Sequence, residues 1–174
     1  MALSAAAITK LGRIAQPVAG LDSLRCAPAA PASGVKHFYG NRALINNVSI
    51  VESIYGYWPD FHDAEIISIN FKRDTSPESK CSAVTIELNY WETKTINEGT
   101  SDFDYVLDKN NIITIEFSDL LKSYVEGFNF QNVIDGLVFT ENADGISAEF
   151  ITIHGAYINI QCKTVTVLGV RPYA

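Results

Sequence analysis

Tyr57-Trp58-Pro59-Asp60-Phe61-His62-Asp63-Ala64-Glu65 sets three aromatics and a proline against a histidine and three carboxylates within nine residues. A run with strand character, Ile66 to Phe71, follows at once. Upstream, Ser49 and Glu52 have capping-box spacing, in which each side chain satisfies a free backbone N–H. Ile50, Val51, Ile54 and Tyr55 then line one face of a short helix, and Gly56 is placed to end it. So short a helix needs a surface to dock on, and the sheet that follows supplies one.

Downstream, seven runs alternate as strands do. Ile67, Ile69 and Phe71 share a face in the first, and Val84, Ile86, Leu88 and Tyr90 point inward in the second, with Asn89 and Trp91 outward. Ile113, Ile115 and Phe117 mark the third, and the remainder are 132–140, 146–153, 156–163 and 164–170. Asp74–Lys80, Asn142–Gly145 and His154–Gly155 read as turns, because Gly and Asn tolerate positive φ. Residues 93–110 are polar and acidic and read as a surface loop, with a short extended piece at Phe103–Leu107. Phe117, Leu120, Leu121 and Tyr124 have helical spacing between strands and stay unassigned. The expected fold is mainly β: an antiparallel curled sheet of six to seven strands with one or two short helices, behind a flexible N-terminal tail.

That tail is residues 1–45, and the domain is residues 46–174. Ala27–Gly34 (APAAPASG) is a low-complexity linker. Ile8, Leu11, Ile14 and Val18 before it could line a short helix, and an acid-poor, Arg-bearing start matches a transit peptide in composition. The plainer reading, a disordered extension, is preferred.

Charge divides the chain at the same place. The total is −7, but residues 1–45 hold five basic side chains and one acidic, a net +4. Residues 46–174 hold eight basic and 19 acidic, a net −11. Such a domain is a poor nucleic-acid binder, since phosphates need basic neutralisation. It suits a basic protein partner, although solubility alone is an equal explanation. No apolar run approaches the roughly 18 residues that cross a bilayer, so no membrane role is expected. Cys26, Cys81 and Cys162 are scattered and odd in number, which fits reduced thiols and a cytoplasmic location.

A metal site could be built from His62, Asp63 and Glu65, as in a small metal-dependent hydrolase. The only other histidines, His37 and His154, have no ligand spacing with them, and an extended chain would turn His62 away from the two carboxylates. A structural role is favoured: Asp60 or Asp63 accepting turn N–H groups, His62 bonding a neighbouring backbone, Trp58 and Phe61 packing on the sheet. Nucleophile elbows and Gly-rich phosphate loops are absent from the sequence, and no catalytic residue, metal or cofactor is assigned. A second run, Gly127-Phe128-Asn129-Phe130-Gln131-Asn132-Val133-Ile134, interleaves amides and aromatics. It suits a bend in which side-chain amides satisfy backbone groups, or a protein-binding surface.

The opening run, with its strand and the pair Lys72-Arg73, resembles the signature of the immunity protein 50 family of bacterial polymorphic-toxin systems. Leu88-Asn89-Tyr90-Trp91-Glu92 resembles that family's strand ending in an aromatic and a glutamate, and Gly127–Ile134 resembles its Gly-Phe-Asn-x-Gln-Asn-Val run. The resemblance spans residues 48–172. Phe130 departs from it, standing where a polar residue is expected. It implies a protein that binds a cognate toxin domain and blocks it without catalysis or cofactor, with no implication for oligomeric state. The residues that carry it are Trp58, Pro59, Phe61, His62, Asp63, Glu65, Glu92, Gly127, Phe128, Asn129, Gln131 and Asn132. Trp58, Asp63 and Glu65 are expected to be scaffold more than contact, with negative loops such as Asn97–Asp108 steering a basic, nuclease-like toxin. A sheet domain that binds a small ligand and has no toxin partner is the third reading.

Overall fold

A computed structural model describes residues 42–75 and 82–174. The proposed tail, its helix and linker, Cys26, His37, Cys81 and most of the Asp74–Lys80 turn lie outside the described residues. A 3₁₀ turn, Arg42–Leu44, leads into β1 (Ile45–Asn46) and helix α1 (Ser49–Tyr55). Eight further strands follow: β2 (Glu65–Arg73), β3 (Ser82–Ile96), β4 (Asp104–Ser118), β5 (Lys122–Glu126), β6 (Val133–Asn142), β7 (Gly145–His154), β8 (Tyr157–Cys162) and β9 (Thr164–Pro172). They form a single sheet in the order β1-β9-β4-β3-β2-β6-β7-β8-β5. Only β1 against β9 is parallel, and every other pair is antiparallel.

The sheet curls without closing into a barrel, leaving β1 and β5 as edges. Its inner face folds over one core. Phe117 of β4 stacks on Phe139 of β6 at 6.5 Å and meets Phe150 of β7 edge-on at 6.1 Å, so strands far apart in the ladder share contacts. Val84, Ile86, Leu88 and Tyr90 are buried as the alternation predicts. Fully burying an aromatic such as Phe117 contributes roughly 1.5–3 kcal/mol, so this face carries much of the stability. Cys162 is buried in it as a free thiol, and that burial pushes its pKa up to about 11.

Among the described residues, nine strands replace the expected six to seven. The additional ones are β1, of two residues, and β5, taken from the segment with helical spacing. There Phe117 lies in β4, which ends at Ser118, Asp119 adopts φ 54° to turn the chain, and Leu121 and Tyr124 lie exposed on the edge. Their spacing is a coincidence of strand, turn and strand. Residues 93–110 are not a loop: most of them continue the β3–β4 ladder to the pair Ile96↔Asp104. The capping box does not form, because Val48 is the N-cap, with no side-chain bond, and Glu52 instead pairs with Arg42 at 2.9 Å. Gly56 does end α1, at φ 85°. A register shift between Ile66 and Ser68 rotates the first strand, burying Ile66 and leaving Phe71 54% exposed.

One glycine fixes how two turns meet. Gly155 has φ +80°, and a Cβ there would lie 2.3 Å from the Gln131 carbonyl oxygen and 2.6 Å from Asn132 Oδ1. Gly56 has a similar φ with nothing within 4 Å. Gly155→Ala is therefore expected to lower unfolding free energy in urea by about 2 kcal/mol or more, and clearly more than Gly56→Ala. Equal losses in the two variants would contradict the close packing.

Candidate functional site

The two signature runs meet where the halves of the sheet are joined. β2 and β6 share a single registered pair, Glu65↔Val133. Around it the Ile66 N–H donates to the Asn132 carbonyl at 2.8 Å, and the Ile134 N–H donates to the Ala64 carbonyl at 2.9 Å. Neither run makes this junction alone.

The first run reaches it through a strained turn. Asp60 Oδ1 accepts the His62 N–H at 3.1 Å, closing an Asx turn. Phe61 and Asp63 both have positive φ, 63° and 61°, which is unusual for a bulky aromatic and tolerable for Asp. The Phe61 ring explains why its strain persists. It is fully buried and lies edge-on to Trp58 at 5.3 Å and Tyr90 at 5.7 Å. Pro59 is buried and Glu65 half-buried beside it.

The second run reaches the junction through its amides. Asn132 is buried; its Oδ1 accepts the Asn129 N–H at 2.9 Å and the Ala156 N–H at 3.2 Å, and its Nδ2 donates to the Asn129 carbonyl at 2.7 Å. Asn129 Oδ1 accepts the Gln131 N–H at 2.9 Å, and its Nδ2 donates to the Gly127 carbonyl at 2.9 Å. Gln131, Phe128 and Phe130 are exposed, the last by 95%.

Glu92 belongs to a third feature at the same end. The β3–β4 ladder shifts register between Tyr90 and Glu92, and Lys109 opposite has φ 47°. Lys109 Nζ pairs with Glu92 Oε2 at 2.8 Å, and the Tyr57 hydroxyl donates to Glu92 Oε1 at 2.7 Å. The Tyr55 hydroxyl lies 2.8 Å from the Lys109 carbonyl and 3.1 Å from that of Tyr90, and it accepts from Asn111 Nδ2 at 3.0 Å. Partial desolvation opposes the charged form of Glu92, but the bonds from Lys109 and Tyr57 outweigh it and hold the carboxyl below the ordinary glutamate range. The bond to Glu92, against some desolvation, raises Lys109. Desolvation, followed by the hydrogen bond with Tyr57, pushes Tyr90 well above the ordinary phenol value. This clamp fixes the direction in which the hairpin leaves the sheet. Asn89, expected to face outward, is buried here, with Nδ2 2.7 Å from Asn110 Oδ1.

His62 does not bond a neighbouring backbone through its ring. Nδ1 lies 3.0 Å from Asp63 Oδ2 and Nε2 lies 3.3 Å from Asp135 Oδ1, with all three side chains about half exposed. Its second carboxylate is thus Asp135, not Glu65. Among the described residues, no group of three or more His, Cys, Asp or Glu is placed to hold a metal ion. The registers Glu65↔Asn89, Val133↔His154, Glu126↔Tyr157 and Asn111↔Pro172 put every signature residue at one end of the sheet. Tyr55, Lys109, Asn111 and Asp135 escaped the sequence reading. Tyr55 was visible only as an apolar helix position, and nothing local marks the other three.

The family model described as immunity protein 50 matches residues 47–173 of the chain. No curated protein and no solved structure matches it.

Two substitutions test the geometry. Asn132→Ala would orphan the buried Ala156 N–H along with that of Asn129, and should cost about 2 kcal/mol or more in calorimetry; a change within error would contradict the role given to Asn132. Glu92→Gln should lower Tm at neutral pH. A depressed native pKa contributes stability above the unfolded value, about 4.3, and loses it as pH falls through the native value. The raised Lys109 pKa keeps its share until pH rises through that native value. The Tm gap between wild type and variant should therefore close in acid, and a gap independent of pH would contradict the clamp.

Proposed function

The chain belongs to the immunity protein 50 family, and from that premise we propose that it binds and neutralises the toxin domain of a polymorphic-toxin system. The family match over residues 47–173 carries this reading. Inhibition is by occupation of the toxin's active site or of a surface beside it, with no reaction and no cofactor on the immunity side. The toxin is a basic domain of nuclease type, which the −11 charge of residues 46–174 attracts and orients. Neutralisation takes place in the cytoplasm; no helix among the described residues is long and apolar enough to cross a membrane.

The geometry supports a binding role for the signature end. Trp58, Pro59, Phe61, Glu65, Asn129 and Asn132 act there as scaffold, each held by packing or backbone pairing. Tyr57, His62, Phe128, Phe130 and Gln131 are presented outward on that scaffold, and Asp63, expected from the sequence to be scaffold, is itself exposed beside His62. Surfaces of aromatics and neutral amides are favoured at protein interfaces.

Co-expression is the test. The toxin domain encoded beside this chain's gene should arrest growth alone, and this protein should restore growth and co-purify with it at one-to-one stoichiometry. Continued arrest with no complex would refute the immunity role. Stoichiometric metal in the purified protein, lost in His62→Ala, would favour the hydrolase instead.

A further inference from the structure

Residues 92–108 form an arm that belongs to no part of the core. β2 stops pairing with β3 at Asn89, and β9 stops pairing with β4 at Asn111, so from Glu92↔Asp108 to Ile96↔Asp104 the two strands pair only with each other. A two-stranded ribbon without a covered face is marginal in water. This one is held at both ends. The Glu92–Lys109–Tyr57 clamp fixes its base. At its tip the Thr100 N–H and hydroxyl both donate to the Asn97 carbonyl, at 3.2 and 2.8 Å, and Asn97 Nδ2 donates to the Asp102 carbonyl at 3.1 Å.

Its two faces differ. Register and strand alternation put Tyr105 opposite Thr95 and Leu107 opposite Thr93 on one face. Phe103 joins them, edge-on to Tyr105 at 5.1 Å. That face carries no charge, yet Tyr105 is 63% exposed, Leu107 62% and Phe103 45%. The rest of the arm is acidic: Glu98 and Asp102 at the tip and Asp104 and Asp108 on the other face stand against Lys94 alone in residues 93–108. Contiguous exposed apolar surface on an element with an excess of one sign of charge marks a docking element for a partner of opposite sign.

We propose that this arm is the toxin-docking element, with Phe103, Tyr105 and Leu107 seated in an apolar cleft bordered by basic side chains. The proposal rests on the immunity reading and names the surface that serves it. A second copy of the chain is the poorer occupant, since it would bring the same acidic charge against itself. Pre-organisation by the clamp lowers the ordering cost of docking, while the acids set the encounter rate and the three apolar side chains set the residence time.

The experiment measures binding kinetics of the full chain with the catalytically inactivated toxin domain encoded beside its gene. Tyr105→Ser/Leu107→Ser should weaken affinity by about 30-fold, mainly through faster dissociation, with Tm unchanged. Asp102→Lys/Asp104→Lys should slow association by about tenfold and flatten its salt dependence. Phe71→Ser, an exposed aromatic at the far end of β2, should bind as wild type does. Affinity within twofold of wild type in both arm variants would overturn the arm assignment while leaving the immunity role standing. An equal loss in Phe71→Ser, or a wild-type dimer that the apolar arm variant makes monomeric, would overturn it too. No binding by the wild-type chain would remove the immunity reading, and the arm proposal with it.

Discussion

Two backbone hydrogen bonds and one registered pair join the halves of this sheet. The Ile66 N–H to the Asn132 carbonyl and the Ile134 N–H to the Ala64 carbonyl flank Glu65↔Val133, and no other β2–β6 register exists among the described residues. Strands that pair so briefly need their ends held by something else. Phe61 holds one side from within the core, at the cost of a positive φ, and Asn132 holds the other by satisfying two backbone donors. Gly155 lets the second side approach closely enough to be held. The curl of the sheet, and hence the meeting of Phe117 with Phe139 and Phe150, follows from that joint.

The same constraint explains why the residues densest in chemistry are not the ones that make the joint. A histidine between two carboxylates would suggest proton transfer or a metal in an enclosed cleft. Here His62, Asp63 and Asp135 are about half exposed, where solvent screens their interaction. The chemically plainer members, Phe61, Ala64 and Asn132, make the joint. Glu92 is intermediate: its carboxylate acts locally, yet the consequence is the direction of a hairpin some distance from the joint.

Much of this was legible in the sequence. Alternation located β2, β3, β6, β7, β8, β9 and the inner half of β4, because a half-buried strand stamps period two on its side chains. The amide run signalled its role, since only side chains such as Asn129 and Asn132 can satisfy backbone groups at a bend. The arm was legible only in part: an extended piece at Phe103–Leu107 was expected, but with neither face of the ribbon covered, the polar residues around it read as a loop although the backbone ladder continues to Ile96↔Asp104. Lys109 and Asp135 were invisible because their partners lie far away in sequence, and β5 was hidden by an accidental helical spacing. The burial of Asn89 was hidden for the same reason as Lys109, since its partners Asn110 and the Asn111 carbonyl belong to the neighbouring strand.

In the proposed function a scaffold makes the end of the sheet and a separate arm meets the partner. Amide hydrogen exchange of the whole chain, free and in complex with the toxin domain, tests that separation most directly. Slowed exchange on binding is expected across residues 92–108 and the exposed 57–63 turn, with 68–73 and 164–168 at the far end unchanged. Protection confined to the far end, with the arm exchanging as fast in the complex as in the free protein, would contradict it.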